Sequence, residues 1–147
     1  MARRVLIADG IATNRIAFKA ALAAARYEVT AVASAAEAVA ELALGRDDLA
    51  IVDGGLADLD ASGLTRLLAA RPHATPPCLV AVDEDSTEIR ASWIERGAAG
   101  VLLRPVDRPW LLTHLRALLR AREAYAELSR QVATAALGVT ANTRNVH

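Results

Sequence analysis

Leu49-Ala50-Ile51-Val52-Asp53-Gly54-Gly55 decides the fold. A short apolar run with Ile and Val at its centre reads as a strand buried on both faces of a parallel sheet. It ends abruptly in a carboxylate and two glycines, which let the backbone turn sharply and come close to whatever sits there. Upstream, Arg4-Val5-Leu6-Ile7-Ala8 runs in the same way into Asp9-Gly10. In an open parallel sheet, ligands gather in the crevice beyond the carboxyl ends of the strands. Two strands ending in Asp-Gly therefore bring Asp9 and Asp53 to one edge of one sheet.

Outward from this pair the chain alternates. A helix is expected over Ala12–Ala25, capped by Thr13 or Asn14, with Ile16, Ala20 and Ala23 or Ala24 as its inner stripe. Tyr27–Val32 is β-branched and alternating, a second strand. Ser34 caps a helix to Leu44, which Gly45 ends. After the Asp53 strand comes a polar loop, 57–61, and a helix from Ser62-Gly63 through Arg71. Pro72, Pro76 and Pro77 stop that helix before a fourth strand, Cys78–Val82. Ser86 caps a helix to Arg96, with Gly97 as its stop. Gly100–Leu103 is a fifth strand, and a last helix starts near Arg108-Pro109 and runs past Leu128. Five βα units in alternation predict an α/β parallel sheet with helices on both faces. From about Ala133 periodicity lapses, and the tail reads as frayed or as a linker.

Composition narrows the function. The chain has 147 residues, 54% of them hydrophobic, which suits one domain with a full core. Net charge is zero, against a general nucleic-acid binder. Lys19 is the sole lysine, and a lone cysteine, Cys78, excludes an internal disulfide and cysteine-based zinc sites. Cys78 lies in an apolar run and reads as a small buried hydrophobe. Four apolar residues after Arg3-Arg4 fall short of the roughly 7–15 of a secretory signal. No stretch approaches the roughly 18 apolar residues of a membrane span. A cytoplasmic protein is expected.

From about Arg3 to Arg122 the sequence resembles the receiver domain of bacterial response regulators in two-component signalling. An acidic turn follows strand one, Asp53 ends strand three and Pro77 opens strand four. Gly97-Ala98-Ala99-Gly100 enters strand five, and a basic residue, Arg104, precedes Pro105. Ile7 to Arg15, with Asn14, looks like receivers joined to diguanylate cyclases. The resemblance implies a flavodoxin-like (βα)5 doubly wound fold, strand order 2-1-3-4-5, with a receiver over 1–122. Residues 123–147 would be a helical extension and a flexible tail or linker. It also implies Asp53 as phosphoacceptor from a histidine kinase or phosphotransferase, and Mg²⁺ held by two acids after strand one and the Gly55 carbonyl. A cation is needed because a dianionic phosphoryl group does not approach several carboxylates unaided.

The sequence departs from that pattern at four positions. Gly10 replaces the second acid, so the Mg²⁺ set shrinks to Asp9, Asp53 and Gly55. Arg104 stands at the lysine position. Val82 occupies the place of the switch hydroxyl and Val101 that of the switch aromatic, so both are lost. Arg104 can contact a phosphate or form a permanent ion pair with Asp53 or Asp9. The expected function is a non-enzymatic receiver acting through protein contacts, with phosphorylation of Asp53 weak or absent. A conventional Mg²⁺-dependent phosphoacceptor is the alternative. A flavin- or nucleotide-binding protein of the same topology is a third, though the turn after strand one lacks a phosphate-binding loop.

The remaining candidates have plainer readings. Asp83-Glu84-Asp85 is a solvated acidic loop at a helix N-terminus rather than a metal site. His73, His114 and His147 are scattered surface residues. Trp93 packs its own helix, and Trp110 is a candidate interface anchor. Leucines and an arginine rim on the last helix suit a homodimer or an output domain through helix 4, strand 5 and helix 5. Continued through Tyr125 and Leu128, that helix would be a coiled-coil-like extension into a partner or output domain.

Overall fold

A computed structural model describes residues 3–70 and 75–145. Five parallel strands form one sheet in the order β2-β1-β3-β4-β5, with β1 Arg4–Ala8, β2 Glu28–Val32, β3 Leu49–Asp53, β4 Cys78–Val82 and β5 Gly100–Leu103. Alternate side chains sort to two faces, because successive residues of a strand point in opposite directions. Val5, Ile7, Leu49, Ile51, Leu79 and Leu102 pack with Phe18 and Leu22 of α1 (Ala12–Ala24) and with Leu111, Leu115 and Leu119 of α5 (Arg108–Asn145). Leu6, Ala8, Ala50, Val52 and Val80 face the other way. They meet α2 (Ala35–Leu42), α3 (Leu64–Ala70) and α4 (Thr87–Glu95). This is the flavodoxin-like, doubly wound arrangement.

All five residues of β3 are buried, which is why that stretch carries no polar residue before Asp53. Its neighbours are β1 and β4, paired Ala8↔Val52 and Asp53↔Ala81. The register places the residues just past β1, β3 and β4 side by side at one edge.

Several expectations need correction. Neither Thr13 nor Asn14 caps α1: its N-cap is Ile11, without a side-chain hydrogen bond. Asp9 substitutes, its Oδ1 accepting from the Ile11 N–H at 2.9 Å and from Asn14 Nδ2 at 3.3 Å. The inner stripe of α1 is Phe18 and Leu22, while Ile16 is exposed and Ala20, Ala23 and Ala24 face solvent. A helix so rich in alanine gives periodicity little to distinguish its faces. The tail expected to lapse from Ala133 is helical to Asn145. His114 is half-buried rather than on the surface and stacks on Trp110 with centroids 4.7 Å apart. The Arg71 helix end, the Pro72 stop, His73 and His147 lie outside the described residues.

Ser34 and Ser86 do cap their helices, accepting from the N–H groups of Glu37 and Ile89, each at 3.1 Å. Asp58, from the polar loop, adds a second cap to α2. Its two carboxylate oxygens accept from the Ala35 and Ala36 N–H groups at 2.9 Å. Those two hydrogen bonds hold the Asp58 carboxyl below its ordinary pKa.

At the opposite edge of the sheet, Asp47 is buried with both carboxylate oxygens unpartnered among the described residues. Burial, reinforced by Glu41 and Asp48 against Arg4 and Arg46, pushes its pKa up to about 6. A folded pKa above the unfolded value means that the native state gains from protonation. The contribution of Asp47 to stability is therefore full at low pH and is lost as pH rises through about 6. Asp47→Asn, which keeps the shape without the charge, should raise unfolding free energy at neutral pH by roughly 1–2 kcal/mol. The gain should fade by about pH 4. Urea denaturation at the two pH values would read both effects; equal curves for the two proteins at neutral pH would contradict the assignment.

Candidate functional site

The carboxyl edge of the sheet holds Asp9, Asp53 and Asp83, each following or ending a strand, and Arg104 just after β5. Asp9 is 1% exposed and Asp53 is 9% exposed, so these are buried charges that need partners. Arg104 supplies them. Its Nη2 donates to Asp53 Oδ1 at 2.7 Å and its Nε to Asp83 Oδ1 at 3.0 Å. Its Nη1 stands 3.6 Å from Asp9 Oδ2. One planar guanidinium thus ties together the ends of β1, β3 and β4. A lysine ammonium is a point charge and lacks the fork needed to reach three carboxylates in different directions. Burial works against the charged guanidinium, but hydrogen bonds to Asp83 and Asp53 outweigh it, and the Arg104 pKa lies above the ordinary arginine value.

Backbone geometry serves the same edge. Asp53 Oδ1 also accepts from the Gly55 N–H at 3.0 Å. A side chain at Gly54 would be crowded: a Cβ there would lie 3.0 Å from Trp93 Cζ2, 3.1 Å from Val80 Cγ1 and 3.3 Å from the Ala81 carbonyl oxygen. Trp93 packs, half-buried, against the core on this side rather than only within its own helix. The guanidinium of Arg96 lies over its ring at 4.3 Å and pairs with Asp60, so the loop after β3 is tied to α4. A cleft of about 250 Å³ opens here between Gly54, Gly55, Val82, Glu84, Trp93 and Arg104.

Val82 ends β4 and is buried, and Val101 on β5 is half-buried; neither carries a hydroxyl or a ring. Gly10 is different from Gly54. A Cβ at position 10 would meet nothing closer than the Ala33 carbonyl oxygen at 3.7 Å, an ordinary contact.

A divalent cation at this edge would have Asp9, Asp53 and the Gly55 carbonyl as donors. Asp9 Oδ2 is buried and makes no hydrogen bond, which leaves it available. Both carboxylates, however, already face the Arg104 guanidinium. Among the described residues no group of three or more His, Cys, Asp or Glu could hold a metal ion. With Gly10 in place of an acid, the site does not fit a resident Mg²⁺, which prefers near-octahedral oxygen donors.

Sequence reasoning foresaw an ion pair of Arg104 with Asp53 or Asp9 but missed Asp83, which it left in a solvated loop. The signal was there. Val82 pairs with Leu103 in parallel register, so the next residues, Asp83 and Arg104, are neighbours by topology. Asp85 and Glu84 do not join them; Asp85 pairs with Arg90 of α4.

Comparison with known proteins agrees with this architecture. The sequence pattern of the response regulator receiver domain matches residues 5–116. The chain is 27% identical over 131 residues to the transcriptional regulatory protein PrrA of Mycobacterium tuberculosis, covering 89% of this chain and 56% of that protein. It is 28% identical over 137 residues to the response regulator PleD of Caulobacter vibrioides, covering 91% and 30%. The chain thus spans about half the length, or less, of these curated relatives. Among solved structures, a CheY-like receiver domain of Methanospirillum hungatei superposes with a TM-score of 0.75 at 25% identity, over 85% of this chain and 99% of that one. A receiver domain of a LuxO-type repressor from Vibrio parahaemolyticus gives a TM-score of 0.77 over 87% and 98% of the two chains; at 18% identity it speaks for the fold alone. By sequence pattern, strand order and the placing of Asp53 at the end of β3, this chain belongs to the response regulator receiver domain family.

Proposed function

We propose that this receiver works through protein contacts, with phosphorylation of Asp53 weak or absent. The observation that carries the reading is the Arg104 guanidinium, seated 2.7 Å from Asp53 and shared with Asp9 and Asp83. An attacking carboxylate must be free and must face a phosphoryl group whose charge a cation offsets. Here the carboxylate is already neutralised from within. Mg²⁺ binding by Asp9, Asp53 and the Gly55 carbonyl is weak. Val82 offers no hydroxyl to a phosphate and Val101 no ring to follow it, so the usual relay from Asp53 to α4 is missing.

Its partners are a histidine kinase or phosphotransferase, or an output domain or protein, in the cytoplasm. Among the described residues no helix is long and apolar enough to cross a membrane. The contact face is α4-β5-α5, where Ile94, Leu103 and Trp110 are each about half exposed. A homodimer through that face is consistent with them. The conventional phosphoacceptor is the less favoured reading: it has Asp9 and Asp53 for it, Gly10, Val82 and Arg104 against it. Neither flavin nor nucleotide binding finds support in the family match.

Amide NMR spectra with Mg²⁺, before and after beryllofluoride, test this directly. The native protein should show little change around Asp53 and none in α4. The double variant Gly10→Asp, Arg104→Lys should gain Mg²⁺-dependent shifts near Asp53. Large native shifts running from Asp53 to α4 would establish the conventional reading instead.

The ion pair makes a separate prediction that needs no phosphodonor. Arg104→Ala leaves Asp9 and Asp53 buried without their counter-charge and should lower stability by roughly 1–3 kcal/mol. Thermal or urea unfolding would read it; an unchanged midpoint would show that the pairing contributes nothing.

A further inference from the structure

A groove of about 500 Å³ runs between α1 and the start of α5, on the side of the sheet where those two helices pack. Ala17, Phe18 and Ala21 of α1 face Val106 and Leu111 across it. Phe18 and Leu111 belong to the core, while Ala17 is exposed and Ala21 half-buried. The two alanines contribute only methyl groups, so α1 leaves the groove open to solvent. Its volume lies in the range of small-molecule sites, roughly 300–1,000 Å³, which join an apolar lining to a few polar groups.

The polar groups here are Asn14, Asp83, Arg104 and Arg108. Three of them are engaged: Asn14 donates to Asp9 at 3.3 Å, and Arg104 donates to Asp83 at 3.0 Å. Arg108 is exposed, and its guanidinium has no carboxylate partner among the described residues. Asp107 beside it is occupied in accepting from the Trp110 N–H at 3.0 Å. No acidic residue occurs in α1, and none in α5 before Glu123, so the charge along this groove favours an anion. A guanidinium also matches a carboxylate in shape, since its fork can donate two parallel hydrogen bonds. We propose that the groove binds a free, monomeric medium-chain fatty acid, its hydrocarbon along Phe18 and the two alanines and its carboxylate on Arg108. Arg104 forms part of the same wall and holds Asp53 at 2.7 Å, so an occupant meets the acidic edge without any phosphoryl transfer. The site goes beyond the proposed protein contacts and stands whether or not Asp53 is phosphorylated.

Isothermal titration calorimetry of the full chain with decanoate, kept below its micelle concentration, reads the site. One decanoate should bind per chain with a Kd on the order of 100 μM. Decyltrimethylammonium, with the same chain length and the opposite charge, should bind roughly tenfold more weakly or not at all. Arg108→Ala should weaken decanoate binding by about tenfold, and Ala17→Trp, which fills the groove from an exposed position, should abolish it. Arg120→Ala removes an exposed cation outside the groove and should change nothing, with far-UV circular dichroism checking that each variant retains its fold. Amide NMR shifts on adding decanoate should centre on Ala17, Ala21, Val106 and Leu111. Absence of binding at millimolar decanoate would overturn the proposal. So would equal affinity for the two oppositely charged probes, or decanoate binding that survives Ala17→Trp. Sedimentation of the protein with phosphatidylglycerol vesicles, without binding of monomeric decanoate, would also overturn it and assign this face to a lipid surface.

Discussion

The carboxyl edge of this domain depends on one guanidinium. Three strands deliver a carboxylate to the same place because they are parallel and in register, and side chains cannot avoid the charge that topology concentrates there. Two of those carboxylates are buried, and an unpaired buried charge is among the most costly features a fold can carry. Arg104 follows the strand next to β4 and reaches across it to Asp53 and Asp9. Its stem and fork span a distance that would otherwise call for several separate cations. The pairing is thus a condition of the strand order as much as a feature of the site.

That dependence explains which parts of the molecule were legible in the sequence. The β3 stretch, the Asp-Gly ends and the five-fold alternation follow from hydrophobic runs and turn residues, and both register with the observed strands to within a residue. The family resemblance pointed to Asp53 and Arg104, which the structure places 2.7 Å apart. What could not be read was geometry that crosses the chain. Asp58 caps α2 from 23 residues away, and nothing local marks it. The stripe of α1 was misread because alanines on every face blur the periodicity. His114 looked solitary, yet it stacks on Trp110 one helical turn earlier.

The helix α5 shows the opposite failure. From about Ala133 its residues are mostly alanine, threonine and asparagine with few large side chains, so local composition suggested fraying. Intrinsic helix propensity is high for alanine, and the two intrahelical contacts of Glu127 with Arg130 and Gln131 support the turn in which they lie.

The retention of Asp53 and Asp9 alongside the loss of the acid at position 10 is a matter of charge. The family pattern sets three carboxylates against one lysine and leaves a deficit that a divalent cation fills. Here Gly10 removes one carboxylate, and Asp83, which is largely solvated, is screened by water. The buried part of the site is then two carboxylates against one arginine. Its residual negative charge falls on oxygens that also accept from the Ile11 and Gly55 N–H groups. Those hydrogen bonds spread part of that charge into the backbone. Arg104 and Gly10 thus bear on one charge balance: the guanidinium faces two buried carboxylates, and position 10 adds no third.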